Sequence, residues 1–175
     1  MSDTPSLLLG EWACLGMLSV APQHGFALAA RFAPTGDVGR VWSMSRPLTY
    51  RALDKLVHHG LAQQVAVEPG RAGGPRIVMA PTAAGRGALD RWLATPVAHL
   101  RDLRSELLVK LVVLETLGRP AVSLLSAQRQ VVAETAAVLE RSATAAGTAD
   151  AVAIWRAESA AGALRVIDRL LTASS

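Results

Sequence analysis

Apolar residues recur at Leu8, Trp12, Leu15 and Leu18, the step of three or four that gives a helix one buried face, so Leu7 to Val20 is predicted helical. Ala21-Pro22-Gln23 interrupts it. His24-Gly25 opens a second helix through Phe26, Leu28, Ala29 and Phe32, and Pro34-Thr35-Gly36-Asp37 ends that one. Trp42-Ser43-Met44 is short and reads as extended. Ser45 suits an N-cap, and Pro47 suits a first helical turn, where its missing N–H costs nothing. From there Thr49, Ala52, Leu53, Leu56, Val57 and Gly60 fall on one stripe, and Arg46, Tyr50, Arg51, Asp54, Lys55 and His58 fall on the other face. Gly60 marks the stop.

The period then changes. Val65-Ala66-Val67 and Arg76-Ile77-Val78-Met79 read as strands on either side of the turn-rich run Glu68 to Pro75, which predicts a β-hairpin. Pro81 cannot donate to a ladder, so the hairpin should end there. Thr82 caps a further helix through Leu89 and Trp92-Leu93, ending near Pro96. Helix, helix, helix, hairpin, helix is the order of a winged helix-turn-helix, in which the helix before the hairpin enters a DNA groove and the hairpin loop is the wing. Beyond Pro96 there are only helical stripes: Leu103, Leu107, Leu111 and Leu114; Leu124, Gln128, Val131, Thr135 and Val138; Val152, Trp155, Ser159, Gly162 and Val166. Three helices in one row make no core alone, so they read as an arm that pairs with a second subunit. The expected fold is mainly α (α+β): a winged helix-turn-helix with a two-stranded wing over residues 7–97, then a helical C-terminal dimerisation arm over 98–175.

Composition sharpens this. Of 175 residues, 51% are hydrophobic and 18% charged, so a packed core is expected rather than disorder. The formal net charge is +4, and the window from Arg40 to Arg76 carries all of it: Arg40, Arg46, Arg51, Lys55, Arg71 and Arg76 against Asp54 and Glu68. Such a concentration is compatible with nucleic acid. Cys14 is the only cysteine and sits in an apolar run, which suits a small core residue. His58 and His59 are adjacent and diverge on a helix, so neither they nor any other cluster suggests a metal site. No cofactor is expected. No basic segment precedes the first apolar stretch, and no apolar run approaches the roughly 20 residues of a membrane span; the cytoplasm is the expected location.

Several blocks together resemble the PadR family of transcriptional regulators. Leu15-Gly16-Met17-Leu18 followed by His24-Gly25-Phe26 is similar to the family's opening. Trp42-Ser43-Met44-Ser45, then Tyr50-Arg51-Ala52-Leu53 and Gly60-Leu61, resembles its recognition-helix block. Gly74-Pro75-Arg76, Thr82-Ala83-Ala84-Gly85-Arg86 and Trp92-Leu93 resemble its wing and the helix after it. Arg104-Ser105-Glu106-Leu107-Leu108-Val109-Lys110-Leu111 resembles the start of a longer arm. Pro47, Thr49 and Met79-Ala80-Pro81 depart from the family pattern and bear most on the wing.

The resemblance implies a homodimeric repressor that binds a pseudo-palindromic operator in double-stranded DNA and is released by a small aromatic effector. Arg46, Tyr50, Arg51 and Lys55 are the expected contacts from the recognition helix, with Arg71 and Arg76 from the wing, Arg76 alternatively pairing with Glu68 across the hairpin. Ser45 is expected to cap its helix and is also within reach of a phosphate. His24 suits a helix N-terminus. Trp12, Trp42 and Trp92 read as core. Trp155 reads as a dimer-interface anchor or as a platform on which an aromatic effector stacks. The competing reading is a ligand-sequestering or protein-interaction module on the same scaffold. An enzyme is not expected, because neither Cys14 nor Ser45 has a recognisable base and no phosphate-binding loop follows a strand.

Overall fold

Helix α1 (Leu9–Val20) is apolar almost all round, and a helix of that kind belongs inside a core. The computed structural model, which describes residues 6–70, 74–146 and 150–173, places it there: Ala13, Cys14, Leu15 and Met17 have no exposed surface. The chain divides into two units, one running to Leu93 with Leu108–Arg119 added, the other comprising Ala94–Leu107 and the chain from Pro120 on.

In the first unit α1 is followed by strand β1 (Gln23–His24), α2 (Gly25–Arg31), α3 (Arg46–His58), β2 (Ala62–Glu68), β3 (Arg76–Pro81) and α4 (Ala83–Ala94). The hairpin pairs Glu68 with Arg76 and Ala62 with Pro81, with a bulge between Gln64 and Ala66. Pro81 is the last residue of its strand, as its missing N–H requires. The sheet has a third strand that the sequence did not reveal: Gln23 and His24 pair with Met79 and Val78. A two-residue strand beside a proline carries no period to read, and only the neighbouring β3 defines it.

Gly60, at φ +66°, ends α3 in the left-handed region, and Leu61 N–H reaches back to Leu56 O at 2.8 Å. Thr82 then joins two elements: its hydroxyl accepts from Gly85 N–H at 3.0 Å and donates to Gly60 O at 2.7 Å. Trp12 and Trp92 stack with ring centroids 5.2 Å apart and planes within 3°. Lys110, which is buried, sets its ammonium 4.9 Å from the Trp92 ring centroid.

Three expectations are corrected. Trp42 is exposed, not core, and Trp42-Ser43-Met44 forms no strand. Val57 and Gly60 are exposed too, so the buried stripe of α3 is Thr49, Ala52, Leu53 and Leu56 alone. Buried Thr49 is satisfied by donating its hydroxyl to Ser45 O at 3.1 Å. The third concerns the start of the arm. A 3-10 turn (Leu100–Asp102) and a π turn (Leu103–Leu107) lead into α5 (Leu108–Thr116), which packs on α1 within the first unit. Its buried residues are Val109, Lys110, Val112, Val113 and Leu114. Gly16 permits this closeness, since a Cβ there would stand 2.8 Å from both methyls of Val113.

In the second unit α6 (Val122–Ala146) and α7 (Ala151–Ala173) lie along each other. Arg129, early in α6, pairs with Asp168, late in α7, at 2.6 Å, so the two run antiparallel. Gln128 is fully buried and clamps the segment after α4: its amide accepts from Val97 N–H at 2.6 Å and donates to Val97 O at 2.9 Å. The buried face of α7 is Ala157, Ala160 and Ile167. The stripe read from the sequence lies outside instead, with Val152 66%, Trp155 74% and Val166 53% exposed.

Candidate nucleic-acid interface

Helix α3 buries one face against α1 and α2 and turns the other to solvent. Ser45 stands at its N-cap in extended conformation, yet its hydroxyl makes no capping bond and is exposed. Its carbonyl takes the first helical bond, accepting from Thr49 N–H at 3.0 Å. The exposed Ser45 hydroxyl stands at the helix N-terminus, where backbone donors also point outward.

The segment His24-Gly25-Phe26 builds the support for this helix. His24 caps α2, its Nδ1 accepting from Ala27 N–H at 3.1 Å. Gly25 leaves room for the Tyr50 ring, because a Cβ there would lie 2.6 Å from Tyr50 Cε1. Phe26 is half exposed, and the Arg46 guanidinium sits 4.6 Å from its ring centroid. Three adjacent residues thus fix α2, seat Tyr50 and hold Arg46. The sequence shows the His24-Gly25-Phe26 motif but gives none of the three a part in this surface.

The expected contact residues are not equivalent. Arg51 is exposed and makes no ion pair with any other described residue. Lys55 is drawn sideways to α1, its Nζ 3.2 Å from Glu11 Oε1. Arg76 is half-buried on β3, opposite Glu68 in the ladder. Arg71 lies outside the described residues. Arg40, from the same basic window, faces α5 and reaches Glu115 at 3.5 Å. Trp155 is in the second unit, on the outer face of α7.

A helix-turn-helix whose second helix is backed by a three-stranded sheet with order β1-β3-β2 decides the fold. It is a winged helix-turn-helix. No protein-family model matches the chain, and no curated protein sequence matches it. Among solved structures, it is similar to Bacillus subtilis PadR in complex with operator DNA, with a TM-score of 0.48 and 18% identity over 94% of this chain and 98% of that one. The same PadR in complex with p-coumaric acid gives a TM-score of 0.46 and 18% identity, over 94% of each chain. The Vibrio cholerae virulence activator AphA gives 0.43 and 23%, over 94% of this chain and 93% of that one.

Cys14 is fully buried, and burial, followed by the charge of Glu11, pushes its thiol far above the usual range, so it is no thiolate nucleophile at neutral pH. Among the described residues no group of His, Cys, Asp or Glu could hold a metal ion, and no helix is long and apolar enough to cross a membrane.

Proposed function

We propose that this chain is a sequence-specific DNA-binding transcriptional regulator of PadR type. It acts as a homodimeric repressor on a pseudo-palindromic operator and is relieved by a small aromatic effector. The observation that carries the reading is the support of the α3 surface: Phe26 under Arg46, Gly25 under Tyr50, and Arg51 left open to solvent. A solvated helix needs no such placement. A helix inserted into a groove does, because its side chains must meet phosphates and base edges at fixed spacing.

Two further observations support the finer parts. The outer face of α7 presents Val152, Trp155 and Val166 to solvent, an apolar stripe that a second copy would cover about a twofold axis. Trp155 is the aromatic on that stripe and would sit at the interface, where a flat effector could shift the spacing of the two recognition helices. Ser45, Arg46, Tyr50 and Arg51 form the α3 contact set, and Arg76 with Arg71 forms the wing set.

The test is a titration of the protein into labelled DNA from upstream of its own gene, beside a scrambled duplex of equal length, over a salt series. Binding to the native duplex at least about a thousandfold tighter than to the scrambled one supports a regulator. Equal, weak, steeply salt-dependent binding to both shows only a basic surface and overturns the reading for that promoter. No binding at low salt overturns it altogether.

A further inference from the structure

The three cations of α3 are held differently, and the difference separates their work. Arg46 rests on Phe26, and Arg51 is exposed, with no ion pair among the described residues. Lys55 is bound to Glu11, and the Glu11 side chain is only 7% exposed. The other Glu11 oxygen accepts from Leu8 N–H at 2.7 Å, which anchors the carboxylate at the start of α1. A buried carboxylate stripped of its cation is strongly unfavourable, whereas a Lys side chain leaving a phosphate returns to water. Competition for the ammonium therefore favours Glu11.

We infer that Glu11 is a positioning residue of the DNA surface: it holds the Lys55 ammonium on α1, away from the phosphates, and leaves Arg46 and Arg51 as the cationic contacts of α3. The inference rests on the reading of α3 as the DNA-binding helix. Its consequence is one fewer sequence-blind phosphate contact per protomer, so affinity depends more on the groups that meet base edges. Asp54 and His58 share the open face with Arg51, one and two turns further along, while Lys55 lies toward α1.

The experiment measures binding of the full chain to the native and scrambled duplexes against salt, and reads the slope of log K on log salt. Glu11→Gln preserves the shape and an acceptor for Leu8 N–H but releases Lys55. It should steepen the slope by about 0.9 per protomer and tighten binding to both duplexes about tenfold per protomer near 0.1 M salt. Lys55→Gln should leave the slope unchanged, whereas Arg51→Gln should flatten it by about 0.9 per protomer. The double variant Glu11→Gln with Lys55→Gln removes both charges together, so no buried charge is left alone. It should fold and keep the parental slope. A purely structural ion pair would change stability and leave the Glu11→Gln slope alone, which would overturn the inference. So would a slope flattened by Lys55→Gln, or by the double variant, as much as by Arg51→Gln. If the parent binds neither duplex, the regulator reading has failed and takes this inference with it. If the parent binds and only these slopes disagree, the inference alone has failed.

Discussion

Replacing Gly16 by alanine tests whether α5 belongs against α1. A Cβ at Gly16 would stand 2.8 Å from Val113 Cγ1 and 2.8 Å from Cγ2. Unstrained carbon atoms prefer about 3.5–4.0 Å, so both contacts overlap by at least about 0.7 Å. Val113 has no exposed surface into which to turn. Overpacking of this kind costs about 1–3 kcal/mol, offset by about 1 kcal/mol of helix propensity gained when alanine replaces glycine. Gly16→Ala alone should therefore cost between about 0 and 2 kcal/mol. Val113→Ala alone leaves a cavity and should cost about 1–3 kcal/mol. Together the new methyl enters the space that the valine vacates, so the double variant should be more stable than the sum of the two by about 1–3 kcal/mol. Urea unfolding followed by circular dichroism gives all four stabilities, with the slope of stability on denaturant expected to stay constant. Additivity within about 0.5 kcal/mol would refute the α1–α5 contact, and with it the placement of Leu108–Arg119 in the winged-helix unit.

Gly25→Ala would push a methyl against the Tyr50 ring, but that ring is the outer end of a side chain 43% exposed and can swing away. Stability should change by less than about 1 kcal/mol while affinity for the native duplex falls; a large drop in melting temperature would show the ring to be core instead. Gln128→Leu strands both polar groups of the Val97 backbone in the interior, and unfolding should show a loss of about 2–4 kcal/mol. Asp37 is held below the usual carboxylate range, first by the hydrogen bond from Arg31. Its contribution is present above the unfolded carboxyl value near pH 4 and fades as pH falls through the lower folded value. Asp37→Asn should therefore lower the melting temperature at pH 7 and leave it little changed well below pH 4. Val152→Ser with Trp155→Ser should weaken self-association in sedimentation without altering the helical signal, and an unchanged dimer would place the interface elsewhere.

The helical stripes and the hairpin were legible in the sequence because each has a period, and a period is a local property of the chain. Thr82 and Gly60 were legible as boundaries for the same reason: a hydroxyl at an N-cap and a left-handed glycine at a helix end act within a few residues. The α7 stripe was also read correctly as a pattern, but a pattern does not say which face packs at home. Ala157, Ala160 and Ile167 are the residues buried, and Val152, Trp155 and Val166 were left outside.

The candidate contact surface was half legible. Spacing placed Arg46 and Arg51 rightly on the open side of α3, since exposure follows from the opposite stripe, but it placed Lys55 there too. What each cation does depends on partners 20 to 44 positions away, Phe26 for Arg46 and Glu11 for Lys55, and no local rule relates such positions. The sequence by itself determined the main helices, the hairpin, their order and the winged-helix class, because propensity, capping and periodicity act over one or two turns. Only the tertiary structure decided that Gln23-His24 is a strand, that α5 returns to α1, and that Lys55 belongs to Glu11. Those outcomes depend on the space that one element leaves for another, and that space exists only once the chain has packed.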